Sequence, residues 1–350
     1  MLASPALCLG LLFSGAWTLR QLAPPKPFRT YPDLVNLLTA RGMEVPDPQR
    51  AEGKLAQIGY YRLSGYWYPA RDFVKNDQQQ VVLCNVTQKP LRQSQFQPGV
   101  SFDDAVALYL FDKHLRQHIF DAVERIEIHL RTVIAHEVGY HDPMAYTDVQ
   151  FIQPKQAKPW KDRKGNQRNT WAEWLVRQQG LVNRSQEDCI DWHRKAHKAI
   201  PFWVAVEAWD FGTLSKYFEI LKGNYQNRIA GRLGIKDTRA LTRWLQEINT
   251  LRNRCAHHTR IWNQVMANPL PMITSEPYFQ AIALDQKALS RFYGLTAIVW
   301  FLVQRINPNS TWARHLADII DSKPSLPGCP YTALGLPDEN GFPRKLFGIA

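Results

Sequence analysis

From Ser101 to about Glu137, apolar side chains return every three or four positions, and no other feature constrains the fold as strongly. Leu115, Ile119, Val123, Ile126, Leu130 and Val133 fall on one face of an α-helix. Ser101, followed three residues later by Asp104, resembles a capping box with Asp in place of the usual Glu or Gln. The run is longer than an ordinary globular helix, which leaves room for a kink or break. Another face carries Glu124, Glu127 and Arg131, the last two spaced to pair.

The rest of the chain also reads as helical. TYPDLVNLLTARGM predicts a helix stopped at Gly42, and a second covers Pro48 to Ile58. GYYRLSGYWYPARDF follows, dense in Tyr60, Tyr61, Tyr66, Trp67 and Tyr68. Beside Arg62 and Arg71 these rings suit base stacking, but their density favours a packed cap on the bundle. KNDQQQ is a turn, and VVLCNV is a short strand or simply extended. QPKQAKPWKDRKGNQRNT, residues 153–170, is a basic loop, with a helix following from about Trp171. A further helix starts near Pro201, with Gly212 marking a break or a close contact. Asp237 is placed to cap TRALTRWLQEINTLRNRCAHH, whose buried stripe is Leu241, Leu245, Ile248 and Leu251. DQKALSRFYGLTAIVWFLVQRI is apolar nearly all round and belongs in the core, and TWARHLADII is a shorter helix. The expected class is therefore all-α, with an irregular tail rich in Pro and Gly from Lys323.

Lys and Arg number 43 against 31 Asp and Glu, a formal net charge of +12. Such a chain favours polyanions, RNA or DNA first; a basic protein with no nucleic-acid role is the alternative. The cysteines Cys8, Cys84, Cys189, Cys255 and Cys329 are odd in number, widely spaced and without a C-x-x-C. This excludes a disulfide framework and a zinc site and fits a reducing, cytoplasmic compartment. Leu9 to Trp17 resembles the apolar part of a secretion signal, yet no Lys or Arg precedes it and it is too short to span a bilayer. Residues 1–24 are read as a non-structural extension, with no stable membrane association expected.

Chemistry concentrates in LRNRCAHHTRIWN, residues 251–263, at a helix end. RNA cleavage through the ribose 2′-OH needs a proton-transfer group near neutral pKa, which histidine supplies. It also needs a cation to hold the phosphate, which a guanidinium supplies. No metal is required, because the nucleophile belongs to the substrate. Asn253 and His257 share a helix face, whereas Arg252 and His257 stand about 140° apart on an ideal helix. Either the helix ends or distorts here, or a second subunit completes the pocket. The competing reading is a basic helix end, where Arg and His⁺ offset the dipole. Acidic pairs at a metal-binding spacing are absent from the sequence, so no metal and no cofactor are expected.

R-N-x-x-x-H is the motif of the HEPN superfamily of ribonucleases, and RNRCAHHTRIWN resembles the signature of its Abi-like branch. KLAQIGYYRLSGYWYPARDF, FDAVERIEIHLRTVIAHEVG and PFWVAVEAWDFGTLSKYFEIL resemble the same branch in the same order, so the resemblance covers roughly 25–305. It implies a helical bundle, dimers with two motifs facing one cleft, and RNA cleavage in antiviral or toxin systems. Carried across, Arg252 and His257 match the catalytic pair and Asn253 a positioning residue, with His258, Arg254 and Arg260 secondary. Glu124, Glu127 and Arg131 match the long-helix motif, either orienting the catalytic groups or forming a structural ion-pair set. The apolar amino-terminal stretch and the basic loop depart from the pattern.

The expected organisation is an extension (1–24), a helical and aromatic region (25–100), a HEPN-like bundle (101–307) with its basic insertion (153–170), and a terminal helix and tail (308–350). The expected function is a metal-independent endoribonuclease of an abortive-infection or toxin-like system; the alternative is a non-catalytic RNA-binding regulator. Lys155, Lys158, Lys161, Arg163, Lys164 and Arg168 are the candidate RNA contacts, although a lone charge run more often marks a solvated insertion. The expected partners are RNA, a second copy of the chain and an inhibitory RNA or protein acting as antitoxin.

Overall fold

The structure, a computed structural model, describes residues 25–266 and 269–349. The extension read into residues 1–24 lies outside the described residues. The described residues are all-α, with fourteen helices and two small two-stranded sheets. They form two compact units: one runs to Phe111 and takes in Lys323–Pro330, and the other comprises Asp112–Ser322 and the residues from Tyr331.

The first unit opens with α1 (Tyr31–Ala40), α2 (Pro48–Ile58) and α3 (Tyr60–Trp67). Thr30 and Asp33 close a reciprocal capping box on α1, and Asp47 caps α2 with a proline in its first turn. Leu38, Leu55, Leu63, Tyr66 and Trp67 are buried between them. The chain then forms an antiparallel pair, β1 (Arg71–Phe73) and β2 (Arg92–Phe96), with a register shift between its ends. VVLCNV contributes only isolated bridges, at Val81 and Leu83. Lys323–Pro330, the start of the stretch read as irregular, belongs to this unit, and within it Lys323 Nζ donates to the Cys329 carbonyl at 2.7 Å. Gly328, at φ +73°, lies so close to Pro69 that an added Cβ would stand 2.0 Å from its carbonyl oxygen.

α4 (Phe102–Gly139) is the expected long helix, and it runs unbroken. Ser101 Oγ accepts from the Asp103 and Asp104 amides at 3.1 and 3.3 Å, satisfying donors that no helical carbonyl can reach. The apolar stripe from Leu115 to Val133 is buried. The next elements of the second unit are a hairpin of β3 (Trp160–Lys161) and β4 (Gln167–Arg168), α5 (Thr170–Arg184) and α6 (Asp188–Lys195). The helix expected from Pro201 is two: α7 (Phe202–Ala205) and α8 (Phe211–Ile220). The break falls at Trp209–Asp210 because Asp210 caps α8, its side chain accepting from the Thr213 amide at 2.7 Å. α9 (Gly223–Arg232) and α10 (Thr238–Ala256) follow. Beyond them stand α11 (Pro277–Ile282), α12 (Gln286–Leu289), α13 (Phe292–Ile306) and α14 (Trp312–Asp321).

α13 is buried on every side from Phe292 to Val303, as its composition requires. It is shorter than expected, because the chain between α12 and α13 is non-helical at Ser290 and Arg291 and gives α12 its own Asp285 cap. Trp174 of α5 lies 5.0 Å from Trp209 and 4.7 Å from Tyr217 between ring centroids, an aromatic core that fixes α5 against α8. No helix among the described residues is long and apolar enough to cross a membrane.

Candidate functional site

Asp237 starts α10 by accepting from the Arg239 and Ala240 amides, as expected. Leu241, Leu245, Ile248 and Leu251 are buried, so the helix turns Asn249, Arg252 and Asn253 away from the core. These three line a cleft of about 550 Å³. One wall is Trp160 of β3 with Thr170, Glu173, Trp174 and Arg177 of α5; the other is Asp210, Phe211, Gly212 and Lys216. Gly212 packs against Asn249 at ordinary van der Waals distance, an added Cβ standing 3.4 Å from its side-chain amide.

The helix ends inside the motif. His257 is the C-cap, the His258 amide donates to the Cys255 carbonyl at 3.1 Å, and the Thr259 amide donates to the Arg254 carbonyl at 2.8 Å. This is a Schellman termination, with His258 at the left-handed position (φ +56°) that glycine normally fills. His257 and His258 are both exposed, and neither lines the cleft. Burial pushes the Cys255 thiol up to about 12, so this residue packs rather than reacts.

Arg252 lies with its guanidinium 5.7 Å from the Phe120 ring centroid of α4, and its Nε is sealed from solvent without a hydrogen-bond partner. Glu127 and Arg131 are brought to the same place. Arg131 donates to Glu127 and to the Trp209 carbonyl, both at 2.7 Å, tying α4 to the bend that begins α8. Burial raises the Glu127 carboxyl above its ordinary range; the positive charges of Arg131 and Arg252 pull against that rise, while Asp210 and Glu124 add to it. Glu124 itself is exposed.

Much of the cleft's charge is internally neutralised. Arg177 pairs with Asp210 at 2.8 Å and Lys216 with Glu219 at 2.9 Å. Burial works to raise the Asp210 carboxyl, but its hydrogen bonds from Thr213 and Arg177 outweigh that and hold it low. Arg168 grips Glu173 with two nitrogens and is committed there. Lys158, Lys161, Arg163 and Lys164 are exposed on the hairpin segment without lining the cleft, and Lys155 lines a separate depression with Arg239 and Arg243. Arg254 and Arg260 are half-buried and do not line the cleft.

Sequence reading missed the residue that fixes the far end of the motif. Asp112 of α4 is fully buried; one oxygen accepts from the Ile261 and Trp262 amides at 3.0 and 2.8 Å, and the other pairs with buried Arg116. The signal was a carboxylate and a guanidinium four apart beside an apolar stripe. Asp210 and Asn249 were missed as well. Asp is a favoured N-cap residue, and Asn249 stands one turn before Asn253.

Arg252, Asn253 and His257 thus stand at the end of α10, with the half-buried Glu127–Arg131 pair of α4 near Arg252. The chain belongs to the Abi-like protein family, whose model matches residues 53–263. Among curated proteins and solved structures, nothing matches the chain.

Proposed function

We propose that this protein is a metal-independent endoribonuclease of the HEPN type, acting in abortive infection or a toxin-like system in the cytoplasm. One observation carries the reading: Arg252 and Asn253 face a cleft while Glu127 and Arg131 of α4 gather behind Arg252. The 2′-oxygen attacks the adjacent phosphorus and the 5′-oxygen leaves. His257 relays the proton that the 2′-OH loses and the 5′-oxygen gains, and Arg252 holds the non-bridging oxygens. Asn253 positions the strand. Because His257 is exposed at the helix end, the site is completed in a homodimer, where a second motif faces the first.

The family match supports the abortive-infection setting. The test is cleavage by purified protein with EDTA present, with products read for a 2′,3′-cyclic phosphate. Strict dependence on Mg²⁺ would overturn the mechanism, and an active monomer would overturn the dimeric site. A second reading, an RNA-binding regulator without catalysis, draws on the placement of His257 outside the cleft lining. Binding without any cleavage would select it.

A further inference from the structure

The first unit holds a groove of about 800 Å³ that the proposed cleavage chemistry does not use. Tyr31, Tyr60, Tyr61 and Tyr68 line it together with Arg41 and Arg71, and no Asp or Glu does. Arg71 is half-buried, with its Nε sealed from solvent and without a hydrogen-bond partner. Its guanidinium lies 5.6 Å from the Tyr68 centroid. Burial holds Arg71 below the ordinary guanidinium range, and the positive charge of Arg41 adds to that. The adjacent carboxylate, Asp72, is turned to the Phe73 amide at 2.8 Å, and Arg41 donates to the Tyr60 hydroxyl at 3.3 Å. Two guanidiniums that feel each other with no carboxylate in the lining gain by taking up an anion.

The aromatic segment also divides in a telling way. Tyr66 and Trp67 are buried as the packed cap that was expected, but Tyr61 is 73% exposed and Tyr68 50%. Rings held in solvent beside unneutralised arginines form a stacking platform. We propose that this groove binds an unpaired nucleotide, its base stacked on Tyr61 and its phosphate held by Arg41 and Arg71. The ligand is a nucleoside monophosphate, either free or as part of a single RNA strand. This site stands whether or not the chain cleaves RNA.

The test is calorimetric titration of the full chain carrying His257→Ala, so that RNA is not consumed. Adenosine 5′-monophosphate is expected to bind, with adenosine and inorganic phosphate each at least about tenfold weaker. Tyr61→Ala and Arg41→Gln each weaken it by about tenfold, while Tyr61→Phe, which keeps the ring, retains it. Because Tyr61 is exposed, its variants fold, and a thermal melt verifies this. Displacement of the nucleotide by a 5′-phosphorylated hexaribonucleotide, but not by its 5′-hydroxyl form, assigns a strand end. Displacement by both assigns an internal nucleotide, and displacement by neither assigns the free mononucleotide. The proposal is overturned if neither nucleotide nor hexamer binds, if phosphate binds as tightly as the nucleotide, or if the affinity ignores Tyr61→Ala and Arg41→Gln.

Discussion

The cleft beside α10 pairs Arg177 and Lys216 with carboxylates, whereas the groove of the first unit holds Arg41 and Arg71 with none in its lining. Arg177, Lys216 and Arg168 each already have an acidic partner, so their net field is small and their geometry is fixed. Arg41 and Arg71 present charge that nothing in the groove cancels. The first arrangement suits holding groups in place for chemistry, and the second suits capturing a phosphate from solution. Overall charge, +12, cannot separate these roles, because it counts a paired arginine and an unpaired one alike.

The sharpest way to break the contrast is at the chemistry itself. His257→Ala is expected to reduce cleavage by about 10²–10⁴-fold in a gel assay while leaving the melting temperature unchanged, because the side chain is exposed. Near-normal cleavage by His257→Ala beside a dead His258→Ala would reassign the histidine. Next in size is a stability effect. Asp112→Ala removes the carboxylate that pairs with buried Arg116 and accepts two buried amides, and should cost about 3–5 kcal/mol by urea unfolding. A loss under about 1 kcal/mol would show that water takes over the pairing.

The contrast between paired and unpaired cations is sharpened by single-strand RNA affinity. Arg177→Gln, already neutralised by Asp210, should weaken binding by less than about threefold, against about tenfold for Arg41→Gln. The reverse order would dissolve the distinction between the two sites.

Glu127 gives a pH signature. Burial raises its folded carboxyl above the ordinary 4.5, so the folded state binds that proton more tightly than the unfolded chain. Its stabilising contribution is whole below the ordinary value and is lost as pH rises through the raised one. Urea unfolding across mildly acidic pH should therefore show wild type losing stability relative to Glu127→Gln, and parallel curves would refute it. The smallest expected effect is at the helix stop. His258→Gly relieves a left-handed residue and should stabilise by about 1 kcal/mol, read as a rise in melting temperature.

The sequence made the helices legible where one apolar period ran on, as from Leu115 to Val133, and misjudged them where a cap interrupted the period. Asp210 divides a continuous hydrophobic pattern by capping α8 at the Thr213 amide, and the pattern that starts at Asp285 is divided at Ser290 and Arg291, between α12 and α13. Arg252, Asn253 and the Glu127–Arg131 pair could be picked out because their spacing is local. The cleft's other walls could not, because Trp160, Glu173 and Lys216 come from separate elements that meet only on folding. The basic loop shows the limit of counting charge: Arg168 reads the same as Lys164 in sequence, but only Arg168 is locked to Glu173.

The buried carboxylate of Asp112 joins residues 149 and 150 positions apart. During synthesis, α4 leaves the ribosome long before Ile261 and Trp262 exist to meet it, and contacts of such long range close late. A chain that stops short of Ile261 therefore lacks the two amides that seat the far end of the motif on α4. For a protein whose proposed activity would damage the cell that makes it, a motif seated only when two distant stretches of chain have met keeps early fragments from presenting a finished site.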